Sequence, residues 1–189
     1  MSTLQVENLI GPTSGSNANK VIIPSGQTLD ASNGFVAPTG HVIQVQHGTL
    51  AGSGSLVTGQ VNYLNTGLSV SITPRFDNSK FIVMASQIIG IGAVSTNTPA
   101  RYDLRIREVN ISSGTDIWVG RYVGTDSQES GNLSVVSGIH GYYTASSTNA
   151  LTFNTQVREA GGTDGSASSM YFNWYAGGLA TITAMEIAQ

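Results

Sequence analysis

The amino-acid sequence predicts an all-β protein, a jelly-roll-like antiparallel β-sandwich preceded by a short N-terminal strand and turn region. The first reason is alternation of apolar and polar residues, which holds in residues 68–73 and almost throughout residues 102–109 and 180–187. A period of two is typical of a strand with one buried and one solvated face. The second reason is that no window of comparable length has the 3.6-residue period of a surface helix. The third is that turns rich in Ser, Gly, Asn and Thr separate about ten such runs, a spacing that favours a sandwich or barrel.

Residues 1–40 differ from the rest of the chain in having shorter strand-like segments. They contain three short strand-like pieces, residues 4–10, 20–23 and 28–29, separated by turns rich in Gly, Pro and Ser. A ribbon this small is marginal in water, so we expect it to be ordered by a partner or by copies of itself. Pro38, Thr39 and Gly40 form a boundary, which predicts two regions, 1–40 and 41–189.

From His41 onward the strand-like runs lengthen. One of them, residues 80–85, does not alternate, and this predicts a central strand buried on both faces. The predicted strands are, in order, residues 42–50, 55–64, 68–73, 80–91, 101–109, 116–123, 133–144, 151–159, 170–175 and 179–187.

The composition argues against several functional classes. Charged residues make up 10% of the 189-residue chain, the net charge is −3 and cysteine is absent, so neither a disulfide scaffold nor a thiolate site is expected. The basic residues are scattered, which disfavours nucleic acid as a partner. No apolar run reaches the length of about 18 residues that a membrane span needs, and the N-terminus lacks a signal-peptide pattern, so we expect no membrane insertion. Because a sheet protein with few charges must protect its strand edges by closure or assembly, we expect a structural or binding protein built from several copies, not an enzyme.

No motif predicts a catalytic, cofactor or metal site. His41 and His47 are expected on one strand, about 20 Å apart, which is too far for one metal ion, and His140 is distant in sequence. The Gly-x-Ser-x-Gly elbow of serine hydrolases is absent. Gly90 and Gly92 begin a dinucleotide fingerprint, but its third glycine and its helix are missing. We therefore expect no catalytic residue, no cofactor and no metal.

Two carboxylate pairs are candidates for glycosidase chemistry, which needs two such groups about 5 to 10 Å apart. They are Asp103 with Asp116, and Asp126 with Glu129. Asp103 and Glu108 lie on a predicted strand that is rich in arginine. Charge pairing between neighbouring strands on a solvated face is therefore the simpler interpretation of these carboxylates.

The aromatic residues are candidates for recognition as well as for the core. Trp118 and Tyr122 share one face of a predicted strand, whereas Tyr142 and Tyr143 point to opposite faces, so at least one of these two is exposed or at an interface. Tyrosine and tryptophan combine an apolar body with a polar tip, which suits carbohydrate stacking or subunit contact.

Three long polar connectors, residues 95–100, 125–132 and 161–169, are the expected recognition surfaces. Loops at one end of a sandwich tolerate variation and usually carry the binding residues. Residues 126–132 are also rich in oxygen ligands for calcium, but they lack EF-hand spacing, which favours a solvated loop tip. The candidate receptor contacts at these tips and beneath them are Trp118, Tyr122, Tyr143, Asn97, Asp126, Glu129 and Asp164.

Several segments of the chain resemble, in the same order, a known family. They are STLQVENL at residues 2–9, KVIIPSGQTL at 20–29, GHVIQV at 40–45, GLSVSITP at 67–74 with SKFIV at 79–83, and TITAMEIA at 181–188. These segments resemble the N-terminal modules and the C-terminal domains of bacteriophage fibre proteins, especially those of marine phages. Residues 92–170 carry no such resemblance.

The resemblance implies a virion protein that forms a homotrimer and is assembled in the host cytoplasm, with an attachment segment at 1–40 and a β-sandwich knob at 41–189. Its implied partners are other virion proteins of the tail or capsid and a glycan or protein of the host surface. The implied function is that of a short tail fibre or fibre knob that contacts the host. A capsid decoration or head-vertex fibre protein without receptor binding, and a carbohydrate-binding module, remain open alternatives. The implied anchor residues are Leu4, Val6, Leu9, Ile10, Val21 and Ile23.

Overall fold

The computed structural model divides the chain into two units, Met1–Val36 and Ala37–Gln189. The residues that the structure describes are 11–16, 18, 20–22, 24–27, 37–52, 54–55, 62–91, 101–110, 114–123, 133–159, 170–172 and 178–189.

In the first unit the described residues form turns. The backbone N–H of Gln27 donates to the carbonyl of Pro24 at 3.0 Å, and that of Ala18 to Gly15 at 3.1 Å. The strand expected at 20–23 is not formed at the described positions 20–22. The pieces expected at 4–10 and 28–29 lie outside the described residues.

The described part of the second unit contains ten strands and no helix, and therefore no helix long and apolar enough to cross a membrane. The strands are β1 Val42–Ala51, β2 Gly54–Ser55, β3 Leu64–Ile72, β4 Lys80–Ile91, β5 Arg101–Glu108, β6 Thr115–Val123, β7 Leu133–Thr144, β8 Leu151–Glu159, β9 Met170–Phe172 and β10 Leu179–Ile187. Four of them, β4, β7, β8 and β10, have the predicted bounds.

The strands form two antiparallel sheets. Sheet A has the order β1-β10-β4-β7, and the short strands β9 and β2 extend it beside the last residues of β4. Sheet B has the order β3-β8-β5-β6. Eight long strands distributed over two four-stranded sheets in this order make a jelly roll, which confirms the predicted fold class. The trimeric state stays a prediction.

One hydrophobic core fills the space between the described parts of the two sheets. Alternate residues of the long strands β3, β4, β5, β8 and β10 point into it, and Leu68, Leu104 and Ile182 are fully buried. The ring of Phe153 packs against those of Phe81, at 6.1 Å, and Tyr143, at 5.5 Å between centroids. Burial of one such large apolar side chain stabilises the fold by about 1.5–3 kcal/mol.

β4 lies at the centre of sheet A, as predicted, but only one of its faces is buried. Phe81, Val83 and Ala85 point into the core, whereas Ile82 is half-buried and Met84 is exposed on the outer face. The expectation of two buried faces is therefore wrong. No described element covers the outer face of sheet A, so the unbroken apolar run of β4 supplies both the core and an apolar outer surface.

The edges of the two sheets lie against each other. A Cβ atom at Gly48 of β1 would overlap the backbone carbonyl oxygen of Ser69 in β3. A Cβ atom at Gly141 of β7 would lie 2.8 Å from the carbonyl oxygen of Ile117 in β6. Glycine permits both close approaches, which bring the edge strands of the two sheets into contact along both sides of the sandwich.

The two ends of the sandwich differ in the chain segments found there. We call the end where β1 begins and β10 finishes the base end, and the opposite end the loop end. At the base end, Gly40 N–H donates to the carbonyl of Ala188 at 2.9 Å, and Ala188 N–H donates to that of His41 at 2.8 Å. The strand ends joined by residues 92–100, 124–132 and 160–169 all lie at the loop end, because these segments connect β4 to β5, β6 to β7 and β8 to β9.

Candidate functional site

Beneath the loop end the interior of the sandwich is polar. Three hydrogen bonds form a chain there. Leu68 N–H donates to the Thr66 hydroxyl at 3.3 Å, and the Thr66 hydroxyl donates to that of Thr155 at 2.6 Å. The Thr155 hydroxyl in turn donates to Gln87 Oε1 at 3.0 Å. The side chains of Thr66, Thr155 and Gln87 are buried. Because Thr155 belongs to sheet B and Gln87 to sheet A, this chain links the two sheets.

A second polar contact between the sheets lies beside the first. The hydroxyl of Tyr102 in β5 is 3.0 Å from that of Ser137 in β7, and Ser137 pairs with Gln87 across β4 and β7. Gln87 Nε2 is buried and has no hydrogen-bond partner among the described residues. Hydrogen bonds are directional, so these contacts fix the register of the two sheets just below the strand ends that carry the connectors.

The outer face of sheet B is charged. Arg105 and Arg107 both bind Asp116, at 2.9 and 2.7 Å, and Arg158 binds Asp103 at 2.8 Å. We call this surface the charged face. It comprises Asp103, Arg105, Arg107, Asp116 and Arg158, together with Tyr63 and Gln156. Its carboxylates and guanidinium groups come from three neighbouring strands, so the expected charge pairing between strands is confirmed for Asp103 and Asp116. Asp103 is only 3% exposed, however, so its expected position on a solvated face is wrong.

Tyr63 lies at the centre of the charged face. The guanidinium carbon of Arg105 is 3.7 Å from its ring centroid, and that of Arg158 is 4.5 Å away. Burial raises the pKa of the Tyr63 hydroxyl, and the neighbouring Arg158 opposes this shift. Burial lowers the pKa of Arg105, and Asp116 opposes this shift. The two guanidinium groups therefore make cation–π contacts with the Tyr63 ring, which hold the ring on the charged face.

The carboxylate of Glu108 is not on the charged face. Its position is five residues from Asp103, which places it on the opposite face of β5, and it is fully buried. There it accepts a hydrogen bond from Asn110 N–H at 2.8 Å. The expectation that Glu108 lies beside Asp103 on a solvated face is therefore wrong. The other candidate pair, Asp126 and Glu129, lies outside the described residues.

Three of the candidate contact residues are aromatic. Trp118 pairs with Ile106 across β5 and β6 and is half-buried against the core. Tyr122 pairs with Tyr102, and its side chain lies outside the described part of the structure. Tyr143 is only 9% exposed, and its pKa is raised by burial and by the nearby Glu108. Tyr143 is thus a core residue near the base end, which corrects its assignment as a surface contact.

Tyr142, the neighbour of Tyr143, is the exposed ring of the pair, with 71% of its surface accessible. This confirms that one of the two is at the surface. The remaining candidate contacts, Asn97, Asp126, Glu129 and Asp164, lie outside the described residues. Of the anchor residues, Leu4, Val6, Leu9, Ile10 and Ile23 also lie outside them, whereas Val21 is described and about half exposed.

The histidines occupy separate places. His41 precedes β1, with Nδ1 3.0 Å from the carbonyl oxygen of Pro38, so it is not on the strand where it was expected. His47 Nδ1 lies 2.9 Å from the Thr183 hydroxyl, and His140 is exposed on β7. Within the described ranges, no three histidine or carboxylate side chains come together as metal ligands.

Glu186 is a buried carboxylate that the sequence patterns do not single out. It lies an even number of residues from Ile182, so it points inward, and it is fully buried. Its carboxylate accepts hydrogen bonds from Arg75 N–H at 2.8 Å, from the Ser79 hydroxyl and from the Gln44 amide. This carboxylate fixes the connector between β3 and β4 onto β10 at the base end. Counting every second residue of β10 from Ile182 identifies Glu186 as an inward-facing residue.

No family model and no curated protein matches the chain. Among solved structures, a CBM4 structure is similar at 13% identity over 70% of this chain and 73% of its own, with a TM-score of 0.31. An Eiger TNF from S. frugiperda is 8% identical over 79% of this chain and 95% of its own, with a TM-score of 0.40. VP2 of infectious bursal disease virus is 15% identical over 94% of this chain and 45% of its own, with a TM-score of 0.39. These similarities assign the chain to no family.

Proposed function

We propose that the chain is a non-enzymatic structural protein of a bacteriophage virion, a short tail fibre or fibre knob. Residues 1–40 attach it to the particle, and the loop end of the sandwich contacts the host surface. The sequence resemblance to phage fibre proteins at both ends of the chain supports this proposal. The observation that carries it is the polarity of the sandwich, in which β1 begins at the base end and the three long polar connectors join strand ends at the loop end.

This polarity suits a protein that is held at one end and exposed at the other. The connectors at the base end, residues 73–79, 109–114 and 145–150, are shorter, and the first is held by Glu186. The polar contacts of Gln87 and Tyr102 hold the two sheets together beneath the loop end. Rigid sheets that carry long polar connectors are the usual arrangement of a binding surface.

Binding at each copy is expected to be weak. Stacking of a sugar or similar group on an aromatic ring contributes on the order of 1 kcal/mol. A homotrimer presents three loop ends at once, and simultaneous engagement increases the total affinity by orders of magnitude without any new contact. The proposed partners are therefore two other copies of this chain, a virion protein at the base end and a host surface glycan or protein at the loop end.

The test is an exchange of the connectors in the phage itself. Residues 95–100, 125–132 and 161–169 are replaced with Gly-Ser linkers of equal length, and the matched control replaces residues 145–150 at the base end. We expect both variants to enter particles at normal copy number and only the first to adsorb poorly to host cells. If adsorption is unchanged while the particles lose stability, the protein is a capsid decoration and the fibre proposal is wrong.

A further inference from the structure

The outer face of sheet A is apolar at its centre. Val45, Met185, Ile82 and Tyr142 are direct neighbours in register across β1, β10, β4 and β7. We call these four residues the apolar row. Val45 is 52% exposed and Tyr142 is 71% exposed, and exposed Met84 lies on the same face. Contiguous apolar surface of this kind on a soluble protein is typical of an interaction site.

This face also has few basic or acidic side chains. Among the described residues on it, these are Lys80 at the first position of β4, His47 of β1 and His140 of β7. The charged face on the other side of the sandwich has Asp103, Arg105, Arg107, Asp116 and Arg158. The centre of an interface is depleted in charge and rich in Tyr and Met, and sheet A has this composition.

The size of the face matches a stable interface. β4 and β7 have 12 residues each, which corresponds to roughly 40 Å of strand, and four strands are roughly 19 Å wide. Sheet A therefore offers at most roughly 760 Å², close to the approximately 800 Å² per partner of a standard interface. At Gly48 and Gly141 the edge strands of the two sheets already lie against each other, so the outer face of sheet A is the large apolar surface available for association.

We propose that copies of this chain associate through the outer face of sheet A, with the apolar row at the centre of the contact. A second copy is the occupant because the area of the face is close to what each partner of a standard interface buries, and because a strongly charged partner would find few complementary groups here. This inference rests on the proposed oligomeric knob and names the surface that forms it.

The test uses the full chain and two arginine substitutions at exposed positions. The double variant Val45→Arg/Tyr142→Arg introduces charge into the apolar row, and the control Val119→Arg does so at an equally exposed valine on β6 of sheet B. Light scattering should give a multiple of 19.7 kDa for the wild type and for the control, and a single chain mass for the double variant. Thermal unfolding of the dilute proteins reports whether each variant is folded. A double variant that keeps the wild-type mass would overturn the proposed face and leave the oligomer standing, whereas a monomeric wild type would overturn both.

A second measurement identifies what covers the face. The chain has no cysteine, so His140→Cys beside the apolar row and Val119→Cys on sheet B each introduce one unique thiol. We expect the thiol at position 140 to react with maleimide several-fold more slowly than the thiol at 119 in the assembled protein, and equally fast after dilution to monomer. Protection of position 140 at every concentration would mean that the chain covers its own face, and the proposal would be wrong.

Discussion

Glu186 shows how a single buried carboxylate determines the structure at the base end. It accepts hydrogen bonds from Arg75 N–H, the Ser79 hydroxyl and the Gln44 amide, which belong to β1 and to the connector between β3 and β4. Taking a carboxylate out of water is unfavourable unless its oxygens are bound by donors. The three donors satisfy this requirement, so β1, β10 and the connector are held in one arrangement.

The substitution Glu186→Gln should lower the free energy of unfolding by about 1–3 kcal/mol. The amide keeps the shape of the side chain, but its NH2 group faces donors where an acceptor is needed, so at least one buried hydrogen bond is lost. Urea or thermal unfolding measures the change. The control is Asp77→Asn, an exposed carboxylate in the same connector, which should leave the stability unchanged. Equal stability of Glu186→Gln and the wild type would show that the three hydrogen bonds make no net contribution to the free energy of unfolding.

Among the strands, the alternation of apolar and polar residues predicted most of the strand bounds. The predicted bounds were wrong where a bulge or a turn interrupts the alternation. β10 matched its predicted bounds because its inward residues occur at every second position. β3 begins at Leu64, four residues before its predicted start, because its register shifts between Asn65 and Ser69, where Gly67 has a φ of 89°. A bulge of this kind breaks the alternation, and Asn-Thr-Gly then has the composition of a turn.

The expected strand at 55–64 fails for a related reason. Gly54–Ser55 forms β2, whereas Leu64 already belongs to β3, so the two ends of the predicted run lie in different strands of different sheets. Apolar and polar spacing alone does not reveal which sheet a strand joins. The approach of β1 to β3 was equally hidden in the sequence, because a glycine in a strand is also compatible with a bulge or a turn.

The closed edge between β1 and β3 gives a test at this scale. Gly48→Ala should destabilise the protein by several kcal/mol, because the new methyl group overlaps the carbonyl oxygen of Ser69 and the two strands must separate. Gly138→Ala is the matched control, since a Cβ at this strand glycine of β7 meets no atom within 4 Å. Thermal unfolding of both variants should show a large decrease for position 48 and little change, or a small increase, for position 138. Similar effects at the two positions would contradict the close approach.

At the scale of the whole molecule, the sandwich has two chemically different faces and two different ends. The polar connectors could be identified from the sequence by their composition, but their convergence at the loop end follows from the jelly-roll order of the strands. The assignment of Tyr143 to the core and of Tyr142 to the surface needed the register of β7 against β4. Likewise, Tyr63 precedes β3, Arg105 and Arg107 belong to β5 and Arg158 belongs to β8, so the proximity of Tyr63 to these arginines is a consequence of the tertiary fold.

The division of the chain after Val36 predicts that the second unit folds without the first. A protein that comprises residues 37–189 retains the described core and both backbone hydrogen bonds of Ala188 with Gly40 and His41. It should therefore unfold cooperatively at about the wild-type temperature. A protein that comprises residues 42–189 is the comparison, because it loses these two hydrogen bonds, and its free energy of unfolding should be lower by about 1–3 kcal/mol.

In the phage, the same truncation separates folding from attachment. If residues 1–36 contain the anchor, the 37–189 protein should be folded when purified and absent from particles, as measured by quantitative mass spectrometry of purified virions. The folded state is essential to this argument, since an unfolded protein would be absent for a trivial reason. Incorporation of the 37–189 protein at normal copy number would show that the sandwich itself binds the particle, and the attachment function would then have to be sought on its base end.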